Sequence, residues 1–414
     1  MQFTIRAPGK LSAEVVLPAS KSISNRALIM HALSGGEDIP HNLSDCDDTE
    51  VMVKALRDLP EVIDIKAAGT AMRFMTAYLS TLNGSHVITG TERMRHRPIG
   101  ILVDALRYIG AEIEYMGEEG YPPLKVRGRR LQGGRLEIPG NVSSQYISAL
   151  LMIGPCLKGG LELKLEGGVI SRPYIDLTLW MMGEFGAEAE WEDMDTIKVK
   201  PKPYVPREYT IESDWSASSY WYEIMALSGR RDDEVRLCGL NDGSKQGDSI
   251  ARYIFSLLGV KTFFEGGVVK LRNIGRSVKR LEYDFLNAPD LAQTFVVCCV
   301  AKGVHFHFTG LQTLKIKETD RIEALKTELR RLGYIIKDIN GKELLWEGER
   351  CKPELEDTAL IGINTYEDHR MALAFAPLAM TMPEIRINNP QVVTKSYPHF
   401  WDELKRAGFY ISES

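Results

Sequence analysis

A repeat of about 75 residues recurs along this 414-residue chain and restricts its possible folds more than any other feature. Its first marker is a helical sequence that ends at a glycine and continues into a strand-like run, as in ALRYIGAEIEY at Gly110. Glycine is common at helix C-termini because it adopts the left-handed conformation without strain. The pattern recurs at Gly186, Gly259, Gly333 and Gly408, at spacings of 76, 73, 74 and 75 residues, and a weaker copy has Pro60 in the turn.

A second marker alternates with the first and has the same period. It is a polar cluster followed by an apolar helix, as in SISNRALIMHAL. The clusters begin near Ser22, Gly69, Ser143, Ser216, Asp290 and Asp368, at spacings of 47, 74, 73, 74 and 78 residues. Both markers therefore indicate six copies, of which the first is about 25 residues short.

Each copy contains two helices and several strand-like runs, such as LELKLEG and VHFHFTG. This pattern predicts an α/β (α+β) architecture of two similar domains with three repeats each. The midpoint lies near residues 212–213, and the N-terminal strand, which precedes the first copy, is expected to pair with the last three. The predicted domains are therefore 21–212 and a discontinuous 1–20 plus 213–414.

Composition excludes several classes of function. The formal net charge of −5 gives no overall basic field, so nucleic acid and anionic membranes are not expected partners. No apolar run is long enough to span a membrane, and the N-terminus lacks a signal-peptide core. The six cysteines form no CxxC motif and no metal-ligand spacing with histidine. We expect a cytoplasmic monomer that needs no metal and no organic cofactor.

The polar clusters at the helix starts are candidate anion sites, because free N–H groups and the positive helix end attract anions. Ordinary capping by Ser, Thr and Asp is the alternative. Capping does not account for Lys21, Ser22 and Arg26, which together offer an ammonium, a hydroxyl and a guanidinium at one helix start. The sequence is not a P-loop, because GxxxxGK[ST] is absent.

Six further segments have similar chemistry. Arg93, Arg95 and Arg97 would share one face if their segment were a strand. Ser143, Ser144 and Gln145 offer hydroxyls and an amide at a helix start. Lys317, Glu318 and Arg321 surround a loop-to-helix junction, where Asp320 and Glu323 fit a capping box. Asp368, His369 and Arg370 begin another helix, Lys395 lies in VTKSYPHF, and Asp290 is a candidate N-cap.

These segments together resemble the 5-enolpyruvylshikimate-3-phosphate synthase family. The similarity runs in order through LPASKSISNRA, RMRHRPIGILVDAL, VSSQYISALL, SRPYIDLTL, APD, IKETDRIEAL, YEDHRMA and TKSYPHFWDEL, and so covers nearly the whole chain. The resemblance implies two domains, each an inside-out α/β barrel of three βαβαββ units, with the active site in the interdomain cleft. It also implies transfer of the enolpyruvyl group of phosphoenolpyruvate to the 5-hydroxyl of shikimate 3-phosphate, a step of aromatic amino acid biosynthesis.

The resemblance assigns roles to individual residues. Asp290, Glu318 and Lys21 are the implied catalytic groups. The implied shikimate 3-phosphate ligands are Lys21, Ser22, Arg26, Ser143, Ser144, Gln145, Tyr174, Asp290 and Lys317. The implied phosphoenolpyruvate ligands are Lys21, Gly69, Arg93, Gln145, Arg321, Arg370 and Lys395. Two carboxyl groups suit a reaction that removes and returns protons, and the many cations suit two anionic substrates.

The sequence departs from the family pattern in places. About 25 residues are missing between Cys46 and Gly69, Ala67 replaces the usual Asn, Phe74 the usual Pro, and Thr313 another Asn. These changes bear on substrate affinity and on the response to glyphosate, the family's inhibitor.

Two alternatives remain at this point. One is the related transferase that acts on UDP-N-acetylglucosamine, which typically uses a loop cysteine. The other is a non-catalytic anion-binding relative.

Overall fold

The computed structural model describes residues 1–36, 39–356, 359–360 and 362–413. Among these residues, no helix is both long enough and apolar enough to cross a bilayer.

Thirteen α-helices form in this part of the chain, several joined to short 3₁₀ turns. They are α1 (Lys21–Ser34), α2 (Asp47–Asp58), α3 (Gly69–Thr81), α4 (Glu92–Arg95), α5 (Gly100–Tyr108), α6 (Ser144–Ile153), α7 (Arg172–Glu184), α8 (Trp215–Leu227), α9 (Ala251–Leu257), α10 (Ala292–Lys302), α11 (Arg321–Arg331), α12 (His369–Phe375) and α13 (Phe400–Arg406).

The described strands number twenty-one and are mostly three to six residues long. They are β1 (Gln2–Arg6), β2 (Ser12–Val16), β3 (Val62–Asp64), β4 (Gly84–Thr89), β5 (Glu112–Tyr115), β6 (Leu124–Gly128), β7 (Gly134–Pro139), β8 (Leu161–Glu166), β9 (Ala189–Trp191), β10 (Thr196–Val199), β11 (Glu234–Cys238), β12 (Val260–Glu265), β13 (Val268–Asn273), β14 (Arg280–Asp284), β15 (His305–Thr309), β16 (Lys337–Ile339), β17 (Glu343–Trp346), β18 (Leu355–Glu356), β19 (Ala359–Leu360), β20 (Ile385–Asn388) and β21 (Tyr410–Glu413).

The chain separates into two compact units. Unit 1 contains Met1–Pro18 and Glu212–Ser414, and unit 2 contains Ala19–Ile211. Each unit has its own cluster of buried apolar side chains.

The repeat is most regular in the middle of unit 1. Here β14, α10, β15, α11, β16 and β17 follow one another as a βαβαββ unit, and the sheet order is β14-β15-β17-β16. Strands β14 and β15 are parallel, and the hairpin β16-β17 adds antiparallel strands. The crossover helix α10 is apolar on nearly all sides and is buried, as expected of a helix inside a domain.

The two N-terminal strands complete the other repeats of unit 1. Strand β2 lies parallel to β11, with Ser12 opposite Glu234, and so takes the first-strand position in the sheet β12-β13-β11-β2. Strand β1 lies between β20 and β21 and is antiparallel to both. Unit 1 therefore has three repeats, two of which use residues from the start of the chain.

Unit 2 has two complete repeats and one shortened repeat. The complete repeats form the sheets β3-β4-β6-β5 and β7-β8-β10-β9. The first repeat contains α1 and α2, with a single parallel bridge between His41 and Thr210. Within residues 39–211, no hairpin follows α2, because the chain enters β3 directly at Val62. The missing hairpin accounts for the predicted shortage of about 25 residues.

The glycines that mark the repeat all have left-handed backbones. Their φ angles are 105°, 83°, 91°, 96° and 93° at Gly110, Gly186, Gly259, Gly333 and Gly408. At Gly259 a Cβ would also lie 2.3 Å from the carbonyl oxygen of Arg276. These turns therefore need glycine, which confirms the sequence marker.

Candidate functional site

The helix starts of unit 1 bring six of the predicted site residues into one ion-pair network. Arg321, the first residue of α11, is at its centre and is almost completely buried. Its Nε donates to Asp368 Oδ2 at 2.6 Å, its Nη1 to Asp290 Oδ1 at 3.2 Å and its Nη2 to Glu318 Oε2 at 2.9 Å. One guanidinium thus holds three carboxylates that come from three different segments.

Asp368 and Arg370 form the second part of the network. Asp368 is the N-cap of α12, and its Oδ1 accepts from the backbone N–H of Arg370 at 2.9 Å. The Arg370 side chain reaches Asp290 Oδ2 at 3.0 Å and the hydroxyl of Tyr220 at 3.2 Å. The starts of α11 and α12 therefore lie close together inside unit 1, with Tyr220 of α8 beside them.

Asp290 does not cap a helix, so that interpretation was wrong. It lies in the 3₁₀ turn Pro289–Leu291, and the N-cap position of the following helix α10 is Leu291. Burial by itself would raise the pKa of Asp290, but the positive charges of Arg370, Lys317 and Arg321 hold that pKa well below its usual range. Lys317 Nζ lies 3.5 Å from Asp290 Oδ1.

Glu318 has a different environment from Asp290. Its Oε2 accepts from Arg321, and its Oε1 lies 3.3 Å from Lys395 Nζ. The described network thus contains four cations and three carboxylates, namely Lys317, Arg321, Arg370 and Lys395 with Asp290, Glu318 and Asp368. The cations Arg321, Arg370 and Lys395 are largely out of water, and their clustering favours a bound anion.

Asp320 caps α11, as predicted. Its Oδ1 accepts from the backbone N–H of Glu323 at 3.1 Å.

Sequence reasoning missed a fourth carboxyl group in this region, Asp248. It is buried in the 3₁₀ turn Gly247–Ile250 and accepts a short hydrogen bond from the Ser216 hydroxyl. Burial, followed by the charge of Asp290, raises the pKa of Asp248 to about 6. The local sequence QGDSI contains no signal that would have identified it.

In unit 2, Lys21 is the first residue of α1, and Ser20 is the N-cap. Lys21 Nζ forms an ion pair with Asp48 Oδ2 at 3.1 Å, and both side chains are largely buried. Asp48 was not predicted as a site residue. The sequence signal that could have identified it is the group of three acidic residues in the first turn of α2, which can attract a cation.

Arg26 lies deeper than its neighbours. Its Nε donates to Thr178 Oγ1 at 2.7 Å, and its Nη2 donates to Ser148 Oγ at 3.2 Å and to the Tyr174 carbonyl at 3.3 Å. Burial lowers the pKa of Arg26 to about 10. Its guanidinium also lies over the ring of Phe74, 5.4 Å from the centroid, so the unusual Phe packs against a predicted site residue.

The starts of α3 and α6 meet beside Gly69. Gln145 Nε2 donates to Thr70 Oγ1 at 3.1 Å, and Ser143 caps α6 by accepting from the Gln145 N–H at 3.3 Å. Ser144 is the first residue of α6, and Ser22, Ser144 and Gln145 are all partly exposed. A Cβ on Gly69 would lie 2.6 Å from Arg97 Nη1, so only glycine leaves space for that guanidinium.

The arginine-rich segment is a short helix and not a strand, which corrects the expectation of one shared face. Thr91 caps α4, and Arg93 and Arg95 lie within it while Arg97 follows it. Arg93 is exposed. The helix forms because a capping Thr and a first-turn Glu outweigh the alternation of charged residues.

Two buried groups that sequence reasoning missed support the end of this segment. Arg73 Nη2 donates to the Pro98 carbonyl at 2.7 Å, and the Tyr146 hydroxyl donates to the same oxygen at 2.5 Å. Arg73 Nη1 also donates to the Gly69 carbonyl at 3.1 Å. The Gly69 turn and the arginine segment are therefore fixed to each other.

No group of three or more His, Cys, Asp and Glu side chains is arranged to bind a metal ion in the described part of the chain.

The comparisons with known proteins give one result. The family model described as EPSP synthase (3-phosphoshikimate 1-carboxyvinyltransferase) matches residues 5–64 and 59–404. A 3-phosphoshikimate 1-carboxyvinyltransferase of Bacteroides fragilis is 59% identical over 411 residues, covering 99% of each chain. One from Shewanella halifaxensis is 34% identical over 431 residues, covering 97% of this chain and 98% of the relative.

Solved structures match the fold as well. The EPSP synthase structure from Acinetobacter baumannii superposes with a TM-score of 0.77 at 21% identity, with complete coverage of both chains. This match confirms the predicted two-domain α/β fold, although no sheet closes into a hydrogen-bonded barrel in the part of the chain described above.

Proposed function

The chain belongs to the EPSP synthase family, and we propose that it transfers the enolpyruvyl group of phosphoenolpyruvate to the 5-hydroxyl of shikimate 3-phosphate, with release of phosphate. The resemblance noted in the sequence is thereby confirmed at the level of the family. The observation that carries the proposal is the network around Arg321, which combines clustered cations with two carboxylates in different environments.

We propose the following roles within unit 1. Arg321, Arg370 and Lys395 bind phosphoenolpyruvate, because Arg321 and Arg370 supply cations at the starts of α11 and α12 and Lys395 adds a third cation beside Glu318. Asp290 and Lys317 contact the shikimate part of the other substrate. Asp290 and Glu318 transfer protons.

Within unit 2, the proposed ligands divide between the two substrates. Ser22, Arg26, Ser143, Ser144, Gln145 and Tyr174 bind shikimate 3-phosphate. Gly69, Arg93 and Gln145 bind phosphoenolpyruvate. Lys21, which is paired with Asp48 and located at a helix start, serves both substrates and the chemical step.

The proposed mechanism requires balanced proton transfers. The 5-hydroxyl loses a proton as its oxygen attacks C2 of phosphoenolpyruvate, and the methylene carbon gains one, which gives a tetrahedral intermediate. Phosphate then leaves, and the methyl group returns a proton to the protein. Three cations suppress the basicity of Asp290 in the free protein. Binding of two anionic substrates would compensate those cations, so we expect it to return Asp290 toward ordinary basicity.

The two alternatives are less well supported. The transferase that acts on UDP-N-acetylglucosamine typically uses a loop cysteine. This chain has no cysteine between Cys46 and Cys156, so its arginine-rich segment lacks one. A relative that had lost catalysis would have no need to keep Asp290, Glu318 and Lys395 in one connected network.

The test is phosphate release by purified protein given phosphoenolpyruvate and shikimate 3-phosphate, with UDP-N-acetylglucosamine as the control acceptor. Release that depends on shikimate 3-phosphate is expected. Folded protein that binds shikimate 3-phosphate without releasing phosphate would support the non-catalytic alternative and overturn the proposal.

The proposal extends to organisation and location. We propose that the domains are 1–20 plus 213–414 and 21–212, and that the protein is a cytoplasmic monomer. Size-exclusion chromatography with light scattering and fractionation of the producing cells test these points.

A further inference from the structure

The segment that leads into Asp368 and Arg370 has an unusual backbone. Tyr366 and Glu367 are consecutive non-glycine residues with φ angles of 53° and 56°, in the left-handed region. Side chains with a Cβ adopt this conformation at an energetic cost, so neighbouring contacts must hold it. The turn they form sets the direction in which α12 begins.

A buried carboxylate on α11 provides such contacts. Glu328 is completely buried, and its Oε1 accepts from the Tyr366 hydroxyl at 2.6 Å. Its Oε2 accepts from the backbone N–H of Asn364 at 3.1 Å and from Arg331 Nη1. The Tyr366 side chain is 37% exposed, yet its hydroxyl reaches this buried group. The Asn364 N–H and the Tyr366 hydroxyl thus attach the chain to Glu328 just before the left-handed pair and at its first residue.

Helix α11 holds the segment at two points. At its first residue, Arg321 pairs with Asp368, and two turns later Glu328 binds Asn364 and Tyr366. The left-handed pair lies between these two attachments. A helix is rigid over this distance, so the position of Arg370 relative to Arg321 depends on both attachments.

We propose that Glu328 and Tyr366 are positioning residues that set the turn before α12 and thereby aim Arg370 and Asp368 at phosphoenolpyruvate. The inference rests on the proposed function for the identity of the bound anion. Neither Glu328 nor Tyr366 contacts the reacting atoms, and each acts through the backbone of residues 364–370.

The matched variants are Tyr366→Phe and Tyr222→Phe. Each removes one phenol hydroxyl and one hydrogen bond in unit 1, because the Tyr222 hydroxyl bonds Thr262 Oγ1 at 3.0 Å and contacts no site residue in the network above. Tyr366→Phe should raise KM for phosphoenolpyruvate about five- to tenfold, which is the range for losing part of a hydrogen bond to a charged group. KM for shikimate 3-phosphate should stay within about twofold for both variants.

A second readout does not depend on turnover. Hydrogen exchange at the amides of Arg370 and Met371 should be about tenfold faster in Tyr366→Phe than in wild type, with no change in Tyr222→Phe. Unchanged exchange at these amides, or equal KM increases for both substrates, would overturn the inference. If wild-type protein releases no phosphate, the proposed function fails, and the exchange measurement alone decides whether the turn is held by Tyr366.

Discussion

Replacing Glu223 should stabilise the protein, and increasingly so as the pH rises. Glu223 lies in α8 with its side chain fully buried, and neither carboxyl oxygen has a hydrogen-bond partner among the residues that the structure describes. Burial holds the pKa of Glu223 well above its ordinary value, and Cys298 and Cys299 on α10 are its ionisable neighbours. A buried polar group without a partner costs about 1–3 kcal/mol.

The pH dependence follows from the difference between the two states. In the unfolded chain, Glu223 loses its proton above its ordinary pKa of 4.5, whereas the folded protein keeps the proton. Between the unfolded and folded pKa values of Glu223, the folded state binds more protons than the unfolded state. The free energy of unfolding of the wild-type protein therefore falls as the pH rises through this range, at about 1.4 kcal/mol per pH unit. The loss between pH 5 and pH 7 therefore accumulates at no more than about 1.4 kcal/mol per pH unit.

The assay is urea unfolding of wild type, Glu223→Leu and Glu223→Gln at pH 5 and pH 7. Tryptophan fluorescence mainly follows unit 1, which holds four of the six tryptophans. The stability gained by each variant over wild type should be larger at pH 7 than at pH 5, by at most about 1.4 kcal/mol per pH unit. The Leu variant should also gain about 1–3 kcal/mol at pH 5, where the Gln variant should not.

Comparing each variant with wild type at the same pH cancels the contribution of all other titrating groups to the free energy of unfolding. A gain that is the same at pH 5 and pH 7 would show that Glu223 does not keep its proton in the folded state. A loss of stability in Glu223→Leu at both pH values would show that the carboxyl group has a favourable partner, and either result would refute the reasoning.

Three further perturbations test the site. Glu318→Gln should fold normally and lose at least about 100-fold in kcat, and near-normal turnover would remove Glu318 from the mechanism. Arg321→Met should lower the unfolding free energy by about 3–5 kcal/mol, because it leaves buried Asp368 without its cation; a loss below about 1 kcal/mol in urea unfolding would contradict the central role of Arg321. Gly69→Ala should raise KM for phosphoenolpyruvate while thermal stability changes little, because the new Cβ meets the flexible end of Arg97 and not backbone; an unchanged KM would argue against a role for this turn.

Local sequence signals predicted much of the fold. The prediction that helices end at the repeat glycines is confirmed, because a left-handed helix end depends on a few adjacent residues. The strand-like runs LELKLEG and VHFHFTG are β8 and β15. The expectation of a strand in the arginine segment was wrong, because an alternating charge pattern is compatible with both a strand and a capped helical turn. The Asp290 interpretation failed because a capping residue and an ion-pair partner have the same sequence appearance.

The candidate site was predictable only as a set of separate segments. Motifs named Lys317, Glu318, Arg321 and Arg370, all of which the structure joins in one network. They did not name Asp48 or Asp248, since an acidic residue on a helix start carries no local sign of the cation it will meet. The same holds for Glu328, which reads as an ordinary residue of an amphipathic helix.

The sequence by itself determined the repeat, the shortage in its first copy and the residue types at each helix start, because these depend on short-range backbone preferences and on chain length. Tertiary structure alone decided which charges meet and which lose contact with water. Arg321 pairs with Asp290 and Asp368, which are 31 and 47 residues away, and Glu223 is sealed among apolar neighbours. The energies of these ion pairs and of this burial arise only when distant helices pack and exclude solvent, since charge interactions and desolvation depend on distance in space and not along the chain.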